Sequence, residues 1–355
     1  MSIRDLRQKE FAEMYVNSNR FNIMHLAPRF GKIRLSVLVL KALNSNSILI
    51  CYPDTKIEAS WKADFKELEY DDSKICYTTY LSLWKHVEEK YDIVILDELH
   101  TMSTNQIEEA KKLFKLSKTV LGLSGTISKE TAHILLNELN LPIIANYSIG
   151  QAIEEGVIVD YEISVIKVPL DNKLRIYKGK TEKQKFDGYT HVINKMENLG
   201  KDTFFLRLSR MRLIQNSIAK KNKTIELLNK HSNERILVFA GVTKIADSLN
   251  IPSYHSKSTE KKVFEEFVKG DVNHLAVVKI GNSGVTYPNL NRVIINYFDS
   301  NGANLAQRIN RCMGLEYNNP DKKAHIYIVS STESTEQKWL AKALEFFDKS
   351  KIKYL

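Results

Sequence analysis

Two short segments carry the residue types that a phosphate-handling site needs. In HLAPRFGKIR, Gly31 and Lys32 follow an apolar run, Phe21 to Leu26, and precede the helix-prone RLSVLVLKAL. A turn from strand into helix presents backbone N–H groups at a helix N-terminus, where an anion is favoured, and an adjacent lysine can reach phosphate oxygens. Arg29, Phe30, Gly31, Lys32, Ile33 and Arg34 would then form the loop around a nucleotide. The full phosphate-loop pattern asks for an earlier glycine, where Ala27 and Pro28 stand, and for a Ser or Thr where Ile33 stands. Taken alone, the segment fits an ordinary strand-to-helix turn equally well.

The second segment is YDIVILDELH, in which the apolar run Ile93 to Leu96 ends in Asp97 and Glu98. This sets two carboxylates at the C-terminal edge of a buried strand, the edge at which open α/β sheets bind ligands. Asp97 is suited to hold Mg²⁺, and Glu98 to orient and deprotonate an attacking water. The alternative is an acidic helix cap after a strand. The Gly-Lys pair upstream favours the catalytic reading.

Positioning these residues requires parallel sheets. Apolar runs alternate with amphipathic stretches: SILICYP, ICYTTY and TVLGLSG in the first half, then RILVFAG, HLAVVKIG, NRVIINYF and AHIYIVS after Glu234. Continuous apolar runs are the mark of strands covered on both faces. The expected fold class is therefore α/β, with two parallel sheets flanked by helices. Residues 1–150 read as the first domain, 151–232 as a linker with a basic helical insertion, 233–335 as the second domain and 336–355 as a C-terminal helix.

Bulk composition agrees. The chain has 355 residues, 43% of them hydrophobic and 26% charged, which excludes a disordered protein and leaves room for two cores. A net charge of +10 favours a polyanionic partner. Cys51, Cys76 and Cys312 form no CxxC pair, so they read as thiols of a reducing cytosol rather than as metal ligands. The charged start MSIRDLRQKEF is no signal peptide, and no run reaches the ~18 apolar residues of a membrane span, so a cytoplasmic protein of a bacterial or phage-infected cell is expected.

An ordered set of motifs resembles the superfamily-2 helicases. Asp97-Glu98-Leu99-His100 is similar to their DEAH-type box, and Leu123-Ser124-Gly125-Thr126 resembles the element that couples hydrolysis to strand movement, through Ser124 and Thr126. NLAQRINRCMG resembles their arginine-finger motif at Gln307, Arg308 and Arg311, and KIGNSGVTYPNLNRVI resembles the element touching both nucleotide and nucleic acid at Gly284, Thr286 and Pro288. RDLRQKEF resembles the adenine-reading segment, with Gln8 as the base contact. The phrases CYPDTKIEASWKADF and CYTTYLSLWK are similar to those of compact phage and restriction-type helicases and of duplex translocases.

The resemblance implies two RecA-like domains of the P-loop NTPase class, with ATP and Mg²⁺ bound in a cleft between them and Arg311 neutralising charge on the γ-phosphate. Ile33, Asn310 and Gly314 depart from the family pattern, at a hydroxyl, a glycine and an arginine respectively. The implied partner is nucleic acid, DNA before RNA, gripped through its phosphates by Pro53, Thr55, Thr78, Thr79, Thr243 and Thr286. In the insertion, basic side chains interleave with Tyr177, Tyr189, Phe204 and Phe205, a pattern that suits gripping phosphates and stacking bases as single-strand binders do; the alternative, favoured for the aromatics, is a solvated helix with an aromatic core side. Rival readings are a motor fold with decayed hydrolysis that only binds nucleic acid, and a translocase that moves on duplex without unwinding. A monomer is expected, with any nuclease supplied by a partner protein.

Overall fold

The computed structural model describes residues 1–175, 178–258, 262–278, 287–299, 302–316, 319, 321–345 and 347–355. The chain divides into two compact units, with the boundary between Ile158 and Val159.

The first unit contains α1 (Ile3–Val16), β1 (Phe21–Leu26), α2 (Lys32–Leu43), β2 (Ile48–Tyr52), α3 (Lys56–Glu67), β3 (Ile75–Thr79), β4 (Ile93–Asp97), α4 (Thr104–Phe114), β5 (Val120–Ser124), α5 (Lys129–Leu139), β6 (Ile143–Tyr147) and α6 (Ile149–Glu154). Its strands lie in the order β3-β2-β4-β5-β1-β6, all parallel. Every residue of β2, β4 and β5 is buried, which is why these segments are apolar without alternation. Parallel strands all end at one edge. Since β5 alone separates β1 from β4, the loops that follow those two strands start about 10 Å apart, within reach of a lysine side chain.

The second unit contains β7 (Tyr161–Val168), α7 (Glu182–Asn198), α8 (Phe204–Gln215), α9 (Ile218–Lys230), β8 (Ile236–Ala240), α10 (Thr243–Asp247), β9 (Ser253–Tyr254), α11 (Lys262–Lys269), β10 (His274–Val278), β11 (Arg292–Ile295), α12 (Gly302–Ile309), β12 (Ala324–Ser331), α13 (Ser334–Ala343) and β13 (Ile352–Tyr354). These strands form a second parallel sheet, ordered β13-β7-β12-β11-β8-β10-β9.

Two expectations need correction. Residues 161–168, read as linker, are a strand that pairs along its whole length with β12; Glu162, Ser164 and Lys167 break its apolar run and hid it. Residues 336–355 are not one helix: α13 stops at Ala343, and β13 covers the outer edge of β7. Among the described residues, no helix is long and apolar enough to cross a membrane, and no cluster of His, Cys, Asp and Glu has metal-site geometry.

Candidate active site

Gly31 caps the N-terminus of α2 in the left-handed region, φ 91° and ψ 53°. A side chain there would be strained, and its Cβ would overlap the amide nitrogen of Gln8. Gln8 is buried on α1; its Nε2 donates to the Phe30 carbonyl at 2.6 Å, while its Oε1 has no hydrogen-bond partner. The residue read as a base contact therefore also braces the loop from behind. Arg29, at φ 64°, completes the turn. Phe30 differs from expectation, because its ring is fully buried against Phe11 and Tyr147, at centroid distances of 5.6 and 4.9 Å. Only its backbone is left for a ligand. Arg34 lies exposed on α2 and pairs with Asp5 at 3.2 Å.

Lys32 projects from the first turn of α2 toward the end of β4. Its Nζ donates to Glu98 Oε1 and lies 3.5 Å from Asp97 Oδ1. Asp97 is held from two further sides: Trp61 on α3 donates its indole N–H to Oδ2 at 3.0 Å, and Tyr80 donates its hydroxyl to the Asp97 carbonyl at 2.7 Å. Glu98 turns the chain in a left-handed conformation, φ 51° and ψ 44°. Asp97 Oδ1 and Glu98 Oε2 are both buried without a hydrogen-bond partner.

Burial disfavours each of these charges, and the neighbours decide the outcome. For Lys32, the Glu98 and Asp97 carboxylates outweigh burial and raise its pKa, so it stays an ammonium. Burial raises the Asp97 pKa above the usual aspartate value despite Lys32. For Glu98, Lys32 and His100 outweigh burial and hold the carboxyl below its ordinary value. Two adjacent carboxylates with open, buried oxygens are a donor set that suits a hard divalent cation such as Mg²⁺.

His100 links this box to the next strand. Its Nδ1 lies 2.7 Å from Ser124 Oγ and 3.4 Å from Glu98 Oε2. Burial lowers its pKa, which keeps the ring neutral near pH 7. Ser124 Oγ in turn accepts from the Thr126 backbone N–H at 3.2 Å, so Ser124 and Thr126 are joined to the carboxylates through one imidazole.

Trp61, Tyr80 and this position of His100 were not singled out from sequence. Trp61 and Phe65 lie four apart on α3, and both are buried. The available signal was the indole N–H, which needs a partner when buried. Ser36, the other hydroxyl near the loop, is committed elsewhere: it is fully buried and donates to the Lys32 carbonyl at 3.0 Å. That leaves half-buried Ile33 with no hydroxyl to offer a cation. These facts set the expected Mg²⁺ titrations of ATP hydrolysis. Trp61→Phe frees Oδ2 to rotate and should raise the half-saturating Mg²⁺ several-fold, whereas Ile33→Thr adds a ligand and should lower it. Unchanged midpoints in both variants would remove Asp97 and Ile33 from the cation site.

The remaining candidates are spread over both units. Pro53 and Thr55 follow β2, and Thr79 ends β3; all three reach solvent. Thr78 does not, at 5% exposed, so its hydroxyl is poorly placed to grip a strand. In the second unit, Thr243 opens α10 and is half-buried, while Pro288 is exposed. Gly284 and Thr286 lie outside the described residues, as does Tyr177. On α12, Gln307 is exposed, whereas Arg308 Nη1 donates to the Tyr297 carbonyl at 2.5 Å and packs near Phe239 and Tyr297. Arg308 thus holds α12 to its own unit. Arg311 lies just past the helix and is half-buried. The aromatic expectation fails for Phe204 and Phe205, which are exposed rather than in the core, while Tyr189 packs against it.

Known proteins resemble both units. Residues 38–129 match the family described as type III restriction enzyme, res subunit, and residues 219–314 match the helicase conserved C-terminal domain. A DNA 3'-5' translocase XPB2 of Sulfurisphaera tokodaii is 23% identical over 340 residues, spanning 83% of this chain and 74% of the relative. The Hef helicase domain of Pyrococcus furiosus superposes with a TM-score of 0.56 at 14% identity, covering 96% of this chain and 99% of that one. S. cerevisiae Dbp5 bound to RNA and ADP BeF3 gives 0.60 at 11% identity, covering 98% and 89%. With a matching family in each unit, in this order, and a translocase as relative, the chain belongs to the superfamily-2 helicases, enzymes that hydrolyse ATP to move on nucleic acid.

Proposed function

We propose that this chain hydrolyses ATP at Lys32, Asp97 and Glu98 and uses the energy to move along DNA. The observation that carries the reading is the convergence of those side chains at one sheet edge, with a buried oxygen open on each carboxylate. Phosphate oxygens of ATP compete with Glu98 for the Lys32 ammonium, so substrate binding frees the Glu98 carboxylate. Glu98, ionised through its neighbours, then takes the proton of the attacking water at Oε2. Asp97 would hold a Mg²⁺ ion, which when bound would supply charge stabilisation at the phosphoryl oxygens. His100 passes the change at Glu98 to Ser124 and Thr126, and Arg311 of the second unit is the proposed finger on the transition state. Intact Lys32 and Glu98 argue against a decayed motor, since a clamp that merely holds nucleotide has no need of a base.

DNA is favoured over RNA by the likeness to a DNA translocase and to a restriction-enzyme family, and a chain of net charge +10 suits either polymer. The test is the ATPase rate with no nucleic acid, single-stranded DNA, duplex DNA and RNA in parallel. DNA should stimulate, and the stimulation should fall steeply with salt as phosphate contacts are lost. No response to any polymer would overturn the motor reading; a response to RNA alone would overturn the choice of DNA.

A further inference from the structure

α7 and α8 pack as a helical hairpin in the second unit. Its core is small and complete without its tip: Phe186, Leu213 and Ile214 are buried together with Leu170. At the turn, Leu199 is 60%, Phe204 61% and Phe205 74% exposed. Leaving large side chains in water forgoes the hydrophobic stabilisation their burial brings, so three in one turn require another explanation. The turn is well made. The Phe204 N–H donates to Asp202 Oδ1 at 2.9 Å, Thr203 Oγ1 to Glu197 Oε1 at 2.9 Å, and Arg207 Nη2 to the same carboxylate oxygen at 2.5 Å. The two phenyl rings meet edge to face, centroids 5.4 Å apart at 79°. In that arrangement the edge of one ring meets one face of the other, so the pair leaves at least one face of each ring for a third planar group.

The rim is cationic. Lys195 and Lys201 are exposed beside the tip; Arg207, also exposed, engages Glu197, which leaves Asp202 as the acid of the turn. Exposed aromatic rings flanked by Lys195 and Lys201 match one ligand chemistry closely, an unpaired nucleobase on a polyanionic strand: the ring stacks the base, and the lysines take the flanking phosphates. A protein partner or a second copy would use the apolar tip without need of that rim.

We propose that Phe204 and Phe205 form a base-stacking tip that engages single-stranded or unpaired DNA during movement. This rests on the motor reading and extends it, assigning to the hairpin the contact with bases while the sheet-edge threonines hold phosphates.

The test uses the full chain and single-stranded oligodeoxynucleotides carrying 2-aminopurine at successive positions, whose fluorescence falls when the base stacks. The unaltered protein should quench one or two positions strongly. Phe204→Ala/Phe205→Ala should abolish that quenching and weaken strand binding about tenfold or more, with ATP hydrolysis in the absence of DNA unchanged. Phe205→Trp should keep both quenching and affinity, because a larger ring still stacks. Both residues are exposed, so folding is not at stake, and circular dichroism checks it. A double variant that quenches and binds like the unaltered chain overturns the proposal. So does an unaltered chain that sediments as an oligomer and becomes monomeric in the double variant, which would make the tip a protein interface. If the unaltered chain neither binds the strand nor is stimulated by it, the motor reading itself fails, an outcome distinct from failure of the tip alone.

Discussion

Lys32→Ala and Glu98→Gln should each abolish DNA-stimulated ATP hydrolysis, and only Lys32→Ala should also abolish ATP binding. The lysine is the only cation that contacts both Asp97 and Glu98 among the described residues. Removing it leaves two buried acids facing the phosphates, so the cradle turns repulsive as well as losing its donor. Glu98→Gln has a different effect. An amide oxygen can still accept from Lys32, the loop keeps its shape, and the missing element is the proton acceptor, a contribution of about 10²–10⁴ in rate. Nucleotide binding by fluorescence titration, read beside turnover, separates the two roles. Equal loss of binding in both variants would show that Glu98 builds the cradle rather than serving as the base.

The largest stability effect is expected in the second unit. Lys220 on α9 and Glu336 on α13 form an ion pair of 2.5 Å with side chains 1% and 0% exposed. The second carboxylate oxygen accepts the Ser331 backbone N–H at 2.6 Å, which ties the end of β12 to the first turn of α13. Lys220→Met strands a buried carboxylate and should cost about 3–5 kcal/mol, measured by urea denaturation. Adding Glu336→Gln removes the stranded charge and keeps an acceptor for Ser331, so the double variant should regain most of the loss. If the second substitution makes matters worse, the pair contributes through packing and not through its charge.

The convergence of Lys32, Asp97 and Glu98 was readable because these candidates lie at predictable places. Asp97 and Glu98 end an unbroken apolar run, and Gly31 and Lys32 lie between a strand and a helix, so type and position agree. What supports them was not readable. Trp61, Tyr80 and Gln8 reach their partners through the tertiary fold, from α3, from the turn after β3 and from α1, at sequence distances that no local pattern encodes. The fold class followed from apolar runs, yet β7 escaped because three polar residues interrupt it, and β13 because three residues with a lysine at their centre carry too weak a signal. Phe204 and Phe205 misled for another reason. Periodicity reports that a residue is apolar; it cannot report that the surrounding core is already full.

The left-handed backbone at Glu98 has a consequence for how such a protein can change. Glutamate is ill suited to that conformation, which costs an L-residue with a Cβ about 1–2 kcal/mol relative to ordinary helical geometry. Glycine or asparagine would relieve it, and either would remove the base proposed for hydrolysis. Selection for heat tolerance alone therefore pulls this position away from catalysis, and a library screened only for folded protein should enrich inactive molecules here. With Glu98 as the proposed base, activity and backbone relief compete at a single dihedral angle, and a screen that demands turnover is expected to keep the glutamate.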